Sequence, residues 1–181
     1  TISGTGAMAM YSRVEPAPWY EMADDIKTLI VEDGVTIISA TAFRECSNLE
    51  EVTLPNTLSK IGTNAFYNCE RLLSIDIPDS VTTIGDGAFS GCGSLTSVAI
   101  SDSVTTIGIC VFEGCNSLTS VTIGNSVTTI GDKAFHSCTS LTSVTIPDSV
   151  TTIGDSAFHE CYRMTSVTIP DSVTTIGSSA F

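Results

Sequence analysis

The hexapeptide SVTTIG occupies residues 80–85 and returns unchanged at 103–108, 126–131, 149–154 and 172–177. Each copy begins 23 residues after the one before it, a period typical of solenoid repeats. Phenylalanine and cysteine keep the same period and occupy Phe43, Phe66, Phe89, Phe112, Phe135, Phe158 and Phe181, and Cys46, Cys69, Cys92, Cys115, Cys138 and Cys161. This constant phase predicts a stack of about seven similar coils, the last one incomplete.

The apolar residues of one period follow neither a helical nor a strand repeat. From Leu95 to Leu118 they are separated by steps of 3, 2, 4, 3, 5, 3 and 3 residues. A long amphipathic helix or an array of hairpins would give a regular step. Each period is therefore predicted to coil with its apolar residues inward and to complete its core by stacking on its neighbours.

Three segments of the period have recognisable local chemistry. LTSVTI is rich in Thr and other β-branched residues and predicts a strand, and IPDSV predicts a turn through its Pro and Asp. In GDSAFHEC, Asp155 is a candidate helix N-cap, and the spacing of Phe158 and Cys161 suits a 3₁₀-like or α turn. The predicted fold is a repeat solenoid, mainly β, with one short parallel strand and a short helical turn in each repeat.

The first coil departs from the pattern. One period before Phe43, Tyr20 takes the phenylalanine position and Ala23 takes the cysteine position, which indicates a degenerate first repeat. The chain is therefore divided into an N-terminal cap at residues 1–19 and a leucine-rich solenoid at residues 20–181. The residues predicted to seal this end are Ile2, Met8, Met10, Trp19 and Tyr20.

The C-terminal coil lacks a polar cap of the kind that usually ends a solenoid. Phe181 closes an aromatic period without the Cys and Leu that follow it elsewhere. We expect an apolar end, which favours a longer natural protein and self-association of this chain through that end. The alternative is a frayed last coil with Phe181 partly exposed. The residues of the predicted apolar end are Val173, Ile176, Ala180 and Phe181.

The pattern C-x-x-L-x-x-V-x-I-P-x-x-V-x-x-I-G-x-x-A-F resembles the BspA-like class of bacterial leucine-rich repeats over residues 20–181. The opening TISGTGAM and the APWY segment resemble the N-terminal cap of such proteins. Departures such as Met164 for Leu and Val111 for Ala keep the inward positions apolar. The resemblance implies a right-handed leucine-rich-repeat coil and, more loosely, a secreted or cell-surface protein used in adhesion. It supplies no catalytic residue.

The charge balance is acidic, with a net charge of −13 from 20 acidic and 7 basic residues. Such a chain repels a phosphate backbone and anionic lipid, so nucleic acid and membrane surfaces are not expected partners. No apolar run approaches the about 20 residues that a membrane-spanning helix needs. No basic and apolar leader precedes Thr1, so any secretion signal would have been removed or never existed.

The cysteines are open to two interpretations. A secreted origin would favour disulfides, but stacked cysteines with parallel Cβ vectors keep their Cβ atoms too far apart for an S–S bond. We therefore predict that six cysteines form a buried ladder of reduced thiols and that all seven phenylalanines are buried. No C-x-x-C or Cys/His spacing indicates zinc. Cys110 lies in a variable column and is expected near the surface, where it could react or cross-link, or stay inert.

Side chains that could do chemistry are few. The sequence has no G-x-S-x-G, no H-E-x-x-H and no phosphate-binding Gly-rich loop, so no catalytic residue and no cofactor are predicted. His136 and His159 share a column beside Glu113, where a weak metal site competes with plain solvated side chains. We expect the solvated arrangement, and no metal is predicted. An aspartate column, which could suggest calcium, is explained by turn formation; it comprises Asp79, Asp102, Asp148 and Asp171.

Two surfaces remain for binding. The first, here called the strand face, carries the outward residues of the predicted strands and is nearly uncharged. Its candidate binding residues are Ser97, Ser120, Thr122, Ser143, Thr145, Ser166 and Thr168. The second, the variable edge, flanks the cysteines and is rich in Arg and aromatic residues, which dominate binding hot spots. Its candidate residues are Arg44, Tyr67, Arg71, Glu113, His136, His159, Tyr162 and Arg163.

These features favour a noncatalytic, extracellular or cell-surface binding module for a protein or glycan, with the variable edge as the preferred site. The alternative is a structural spacer or surface-coat element without a specific ligand, which the near identity of residues 141–158 and 164–181 favours. An enzyme and an ice-binding protein that uses its Thr rows are remote alternatives. An activity screen and a thermal-hysteresis measurement would reveal them.

Overall fold

The computed structural model is a parallel β-solenoid, and it describes residues 1–11 and 15–181. The predicted LTSVTI strand forms in every coil because its alternate residues point to the core and to solvent. Ser97 pairs with Ser120 one coil later, in the 23-residue register that the repeat predicts. The strands of this first stack are Thr28–Ile30, Glu51–Thr53, Ser74–Ile75, Ser97–Ala99, Ser120–Thr122, Ser143–Thr145 and Ser166–Thr168.

Each coil also contains a second strand, which adds to the single strand predicted per repeat. From Thr83–Ile84 onward the Thr–Ile pair of SVTTIG forms it, and two residues are too few to show the alternation of a strand. The N-terminal Gly6–Ala7 joins this stack by pairing in parallel with Val35–Ile38. Its other strands are Lys60–Ile61, Thr83–Ile84, Thr106–Ile107, Thr129–Ile130, Thr152–Ile153 and Thr175–Ile176.

The 3₁₀-like turn predicted at Phe158 and Cys161 forms, since the Cys161 N–H donates to the Phe158 carbonyl at 3.2 Å, and it lies in a segment whose backbone alternates in hand. Within the described residues, the one helix is the 3₁₀ segment Tyr20–Asp25. Lys133 and Ser137 have φ values of 55° and 58°, with right-handed residues between them. The N–H groups of Lys133, Phe135 and Ser137 donate to carbonyls of the next coil at 2.8–2.9 Å. Within the coil, the N–H groups of His136 and Cys138 donate to carbonyls three residues earlier at 3.1 and 3.2 Å. Bonds between coils and 3₁₀-type bonds therefore together satisfy the backbone of the turn.

Asp155 does not cap a helix, and the N-cap prediction is wrong. Its carboxylate accepts a hydrogen bond from the Ser178 N–H of the following coil at 2.6 Å. Asp86 and Asp132 accept in the same way from backbone N–H groups 23 residues later. This aspartate therefore joins neighbouring coils.

A continuous column of aromatic rings runs through the core. Successive phenylalanines from Phe43 to Phe181 stack with centroids 5.2–5.5 Å apart. Six of them are no more than 2% exposed, and the six predicted cysteines are buried with them. The prediction for the seventh is wrong, because Phe181 is 46% exposed. With no ring beyond it, Phe181 packs against Phe158 on one face only.

The N-terminal end is sealed by Trp19 and not by Tyr20. Trp19 stacks on Phe43 at 5.2 Å and donates its indole N–H to the Ala42 carbonyl at 2.8 Å. Ile2 and Met8 pack against the core as predicted. Tyr20 and Met10 are exposed instead, because residue 20 begins the 3₁₀ segment and the aromatic position moves back by one. Residues 12–14 of the predicted cap lie outside the described residues, and the domain boundary stays a prediction.

The C-terminal coil presents apolar side chains to solvent, as expected from its sequence. Ile176 and Ile169 are 49% and 39% exposed, while Ala180 is buried under the last turn. Self-association through this end stays a prediction. No helix among the described residues is long and apolar enough to cross a bilayer.

Candidate functional site

The strand face is exposed along its whole length. All seven of its candidate residues are exposed, and Ser120, for example, lies between Ser97 and Ser143 in one vertical row. Its side chains are short and repeat from coil to coil, so the face offers hydroxyl groups at a spacing of about 4.8 Å. A cavity of about 690 Å³ at the C-terminal coil reaches this face at Ser166.

The variable edge is built around the residue that directly follows each phenylalanine. This column consists of Arg44, Tyr67, Ser90, Glu113, His136 and His159. The inward phenylalanine fixes each backbone position, while the following side chain lies half-buried between its neighbours above and below, except for Ser90, which is buried. Arg71, Tyr162 and Arg163 lie outside the column and are exposed. Small residues, including Ser90 and Gly91, divide the edge into two groups of large side chains.

The N-terminal group is centred on Arg44. Its guanidinium lies 4.9 Å from the Tyr67 ring centroid and forms a 2.8 Å ion pair with Glu45. Arg71 is 4.0 Å from Glu50, at the limit of an ion pair. Beside this group is a cleft of about 360 Å³, bordered by Trp19, Tyr20, Arg44, Glu45 and other residues of the first coils. The sequence did not predict this cleft because it depends on how the 3₁₀ segment packs.

The C-terminal group is a chain of polar contacts. The rings of His136 and His159 stack with centroids 5.4 Å apart, and Glu113 lies 3.7 Å from His136 Nδ1. The Ser137 hydroxyl donates to Glu160 at 2.7 Å and lies 3.0 Å from His136 Nδ1. The predicted proximity of the two histidines and Glu113 is therefore confirmed.

The carboxylate of Glu160 has a lowered pKa, chiefly because it accepts the hydrogen bond from Ser137, with the nearby His136 adding to the effect. Tyr162 has a raised pKa because of partial desolvation and the charge of Glu160. From the sequence, Glu160 was placed on the variable edge, whereas Ser137 was missed. The two residues share a second left-handed column, with φ values of 58° and 63°.

The group does not have the geometry of a hydrolytic triad. In a triad, histidine uses one ring nitrogen for serine and the other for the carboxylate. Here both Ser137 and Glu113 approach Nδ1 of His136. The hydroxyl of Ser137 donates to Glu160, so it is held as a donor to a carboxylate and not as a nucleophile facing a base. A cavity of about 690 Å³ opens beside His159, Glu160 and Tyr162.

The buried cysteines make hydrogen bonds as well as filling space. The thiol of Cys92 donates to the Phe66 carbonyl at 3.3 Å, and the other inner cysteines repeat the contact in successive coils. Burial raises the pKa of Cys92 to about 12, so its thiol is neutral at physiological pH. All seven cysteines are free thiols. Cys110 is half-buried, as expected, and desolvation and Glu113 raise its pKa to about 11.

The aspartate column of the IPDSV turns shows no convergence on a metal. Asp102 accepts a backbone hydrogen bond from Asn125 at 2.6 Å, consistent with a turn and inter-coil role. Among the described residues, the group that could hold a metal ion is His136, His159 and Glu160.

The comparisons with known proteins agree with this architecture. A family model for the BspA type leucine rich repeat region matches in 6 copies, over residues 18–138 and 83–181. No match was found among curated proteins.

Two solved structures are similar over nearly the whole chain. One is a leucine rich cell surface protein from Faecalibacterium prausnitzii A2-165, with 25% identity and a TM-score of 0.65 over 100% of this chain. The other is a leucine-rich repeat protein from T. pallidum, with 27% identity and a TM-score of 0.58 over 96%. The chain spans 67% and 65% of the lengths of these two proteins. Together with the 23-residue coils, the family match shows that the chain belongs to the BspA-type leucine-rich repeat family.

Proposed function

We propose that the chain is a noncatalytic module, extracellular or at the cell surface, that binds a protein or a glycan on a host or neighbouring cell through its variable edge. The surface location is supported by the similar protein from Faecalibacterium prausnitzii, which is described as a cell surface protein. Adhesion is the role that such binding would serve.

The observation that carries this proposal is the contrast between two exposed surfaces on one scaffold. The strand face is more exposed than the edge, yet it repeats Ser and Thr in nearly every coil. Exposure alone therefore does not explain why the edge varies. The edge gathers Arg44, Tyr67 and Tyr162, residue types that supply large contact areas and directed hydrogen bonds in interfaces.

The rigidity of the scaffold also favours binding. Every edge side chain follows a buried phenylalanine or lies within six residues of one, and the turns are hydrogen bonded to the coils on either side. Fixing these side chains before a partner arrives lowers the entropy cost of association. The clefts at Arg44 and at Tyr162 would each accept one protruding side chain or sugar ring.

A glycan and host-protein array probed with the purified chain tests the proposal. We expect specific partners whose binding is lost when Tyr162 and Arg163 are both replaced with Ala. The matched control replaces Thr145 and Thr168 of the strand face with Ala. Partners whose binding is lost in the strand-face variant and kept in the edge variant would place the binding site on the strand face instead.

A spacer without a ligand is the second candidate, and one observation favours it. Residues 164–181 repeat residues 141–158 apart from Met164 for Leu141 and Ser178 for Asp155. Such near identity is expected of a spacer, in which the number of repeats is important and the surface side chains are not. An array that gives no partner, together with an extended shape in solution, would support the spacer and contradict the binding module.

A further inference from the structure

The chain's only two histidines meet a carboxylate at the C-terminal part of the variable edge. One potential ligand atom from each of His136, His159 and Glu160 lies within 4.8 Å of the other two. Imidazole nitrogens and a carboxylate oxygen are a common ligand set for zinc and related divalent transition metals. The stacking of two successive coils thus produces a three-ligand set that no single repeat contains.

The spacing of these atoms is close to that of a metal site. Zinc bonds of about 2.0–2.1 Å in a tetrahedron place ligand atoms roughly 3.4 Å apart. The side chains of His136, His159 and Glu160 are half-buried and not enclosed in the core. Because no two of the ligand atoms are more than 4.8 Å apart, a contraction of at most roughly 1.4 Å is needed, which is within the reach of their rotatable bonds.

The surroundings supply the orienting contacts that metal ligands need. The Ser137 hydroxyl holds one oxygen of Glu160 at 2.7 Å, and the Tyr162 hydroxyl also hydrogen bonds to this carboxylate. Glu113 lies 3.7 Å from His136 Nδ1, so it could either orient this imidazole or approach as a fourth ligand. Partners of this kind are typical of protein metal sites. The net charge of −13 also favours a cation over an anion at this edge.

We propose that His136, His159 and Glu160 bind one divalent transition-metal ion of the zinc class. Because the histidines belong to successive coils, the ion bridges them and stabilises the folded chain by mass action. The site lies on the surface that we propose for partner binding. The metal proposal does not depend on that function, because its test measures the ion alone.

The experiment is a calorimetric titration of the chain with ZnCl₂ at pH 7.5. It is done in a Cys110→Ser background because the half-buried thiol of Cys110 is another potential zinc ligand. The other six thiols are buried, and circular dichroism confirms that each variant is folded. We expect one saturable site per chain, and no saturable binding in His136→Gln or His159→Gln.

A pair of glutamate variants provides the matched control. Glu160 and Glu45 occupy the same left-handed column on different coils. We expect Glu160→Gln to weaken zinc binding at least about tenfold, a loss typical of damaged metal sites, and Glu45→Gln to leave it unchanged. Equal weakening by both variants would indicate a general charge effect and overturn the site.

The imidazole signals give a second measurement that needs no variant. With two histidines in the chain, both side-chain ¹⁵N signals are expected to shift together and to saturate at one equivalent of zinc. Absence of saturable binding, or binding that survives both histidine substitutions, would overturn the proposal. If a histidine variant fails to fold, the signals of the unsubstituted imidazoles decide alone.

Discussion

The strand face and the variable edge differ although the same coils carry both. On the strand face, paired strands place Ser97 beside Ser120 and Ser143 beside Ser166, and the side chains hardly change. On the edge, turns of alternating backbone hand accept residues as different as Asn68, Gly91 and Glu160 at one position. The repeat therefore constrains the inward residues and the backbone hydrogen bonds, whereas the edge side chains can differ between coils without disturbing either.

The largest effect is expected from removing the support that both surfaces share. Phe112 is fully buried between Phe89 and Phe135, so Phe112→Ala should cost about 3–5 kcal/mol of unfolding free energy through the cavity it leaves. Urea unfolding measures this loss. The control, Ser120→Ala on the strand face, should change the unfolding free energy by less than about 0.5 kcal/mol. Equal losses in the two variants would contradict the account of the core.

The cysteine ladder beneath the edge makes stability depend on alkaline pH. The pKa of Cys92 is about 12 in the folded chain against an ordinary 9.0, so its contribution is full below pH 9 and is lost as pH rises towards 12. Between pH 7 and pH 10, the chain should lose about 1.4 kcal/mol that Cys92→Ala does not lose. Unfolding titrations at both pH values measure the difference. Parallel losses in the two proteins would show that Cys92 ionises equally when folded and unfolded.

The sequence predicted the regular part of this structure well. The constant period of Phe89 and Cys92 identified two core columns, because a position that repeats every 23 residues meets its own copy in a stack. The strand from LTSVTI was predicted for the same reason. The prediction that Phe181 is buried was wrong, because the 23-residue period does not indicate whether a further coil covers the ring.

The parts that depend on backbone geometry could not be predicted. Asp155 has the residue type of an N-cap, but its hydrogen bond crosses to Ser178 in the next coil. Trp19 replaced Tyr20 in the aromatic column because a 3₁₀ segment shifts the register by one residue. At the candidate site, the proximity of the histidines followed from the period, whereas the bridge from Ser137 to Glu160 required the left-handed turn.

Glycine substitutions should act in opposite directions on the two surfaces. Lys133 is left-handed with φ of 55°, and Gly87 already occupies the same column, so Lys133→Gly should stabilise the chain by about 0.5–1 kcal/mol. Thr145 lies in a strand, where Thr145→Gly should destabilise by about 0.5–1 kcal/mol. Thermal and urea unfolding measure both variants. If both substitutions changed the stability in the same direction, the left-handed backbone would not be what distinguishes the variable edge from the strand face.

The smallest effect on stability is expected at the exposed end of the edge. Tyr162 is 75% exposed and Arg163 is exposed, so replacing both with Ala should leave the melting temperature nearly unchanged. Differential scanning calorimetry measures this. A large drop in melting temperature would show that these residues support the last coil. Any binding defect of the double variant would then follow from lost structure and not from lost contacts with the partner.

The most direct test of the central claim is to make the edge as uniform as the strand face. All eight edge residues are replaced with Ser, which occurs naturally in their columns at Ser47, Ser90 and Ser94. A control chain carries Ala at Ser97, Ser120, Ser143 and Ser166 of the strand face. We predict that both chains melt near the temperature of the original and that only the edge variant loses the partners found on the array. A uniform edge that still binds them, or a strand-face variant that does not, would contradict the account.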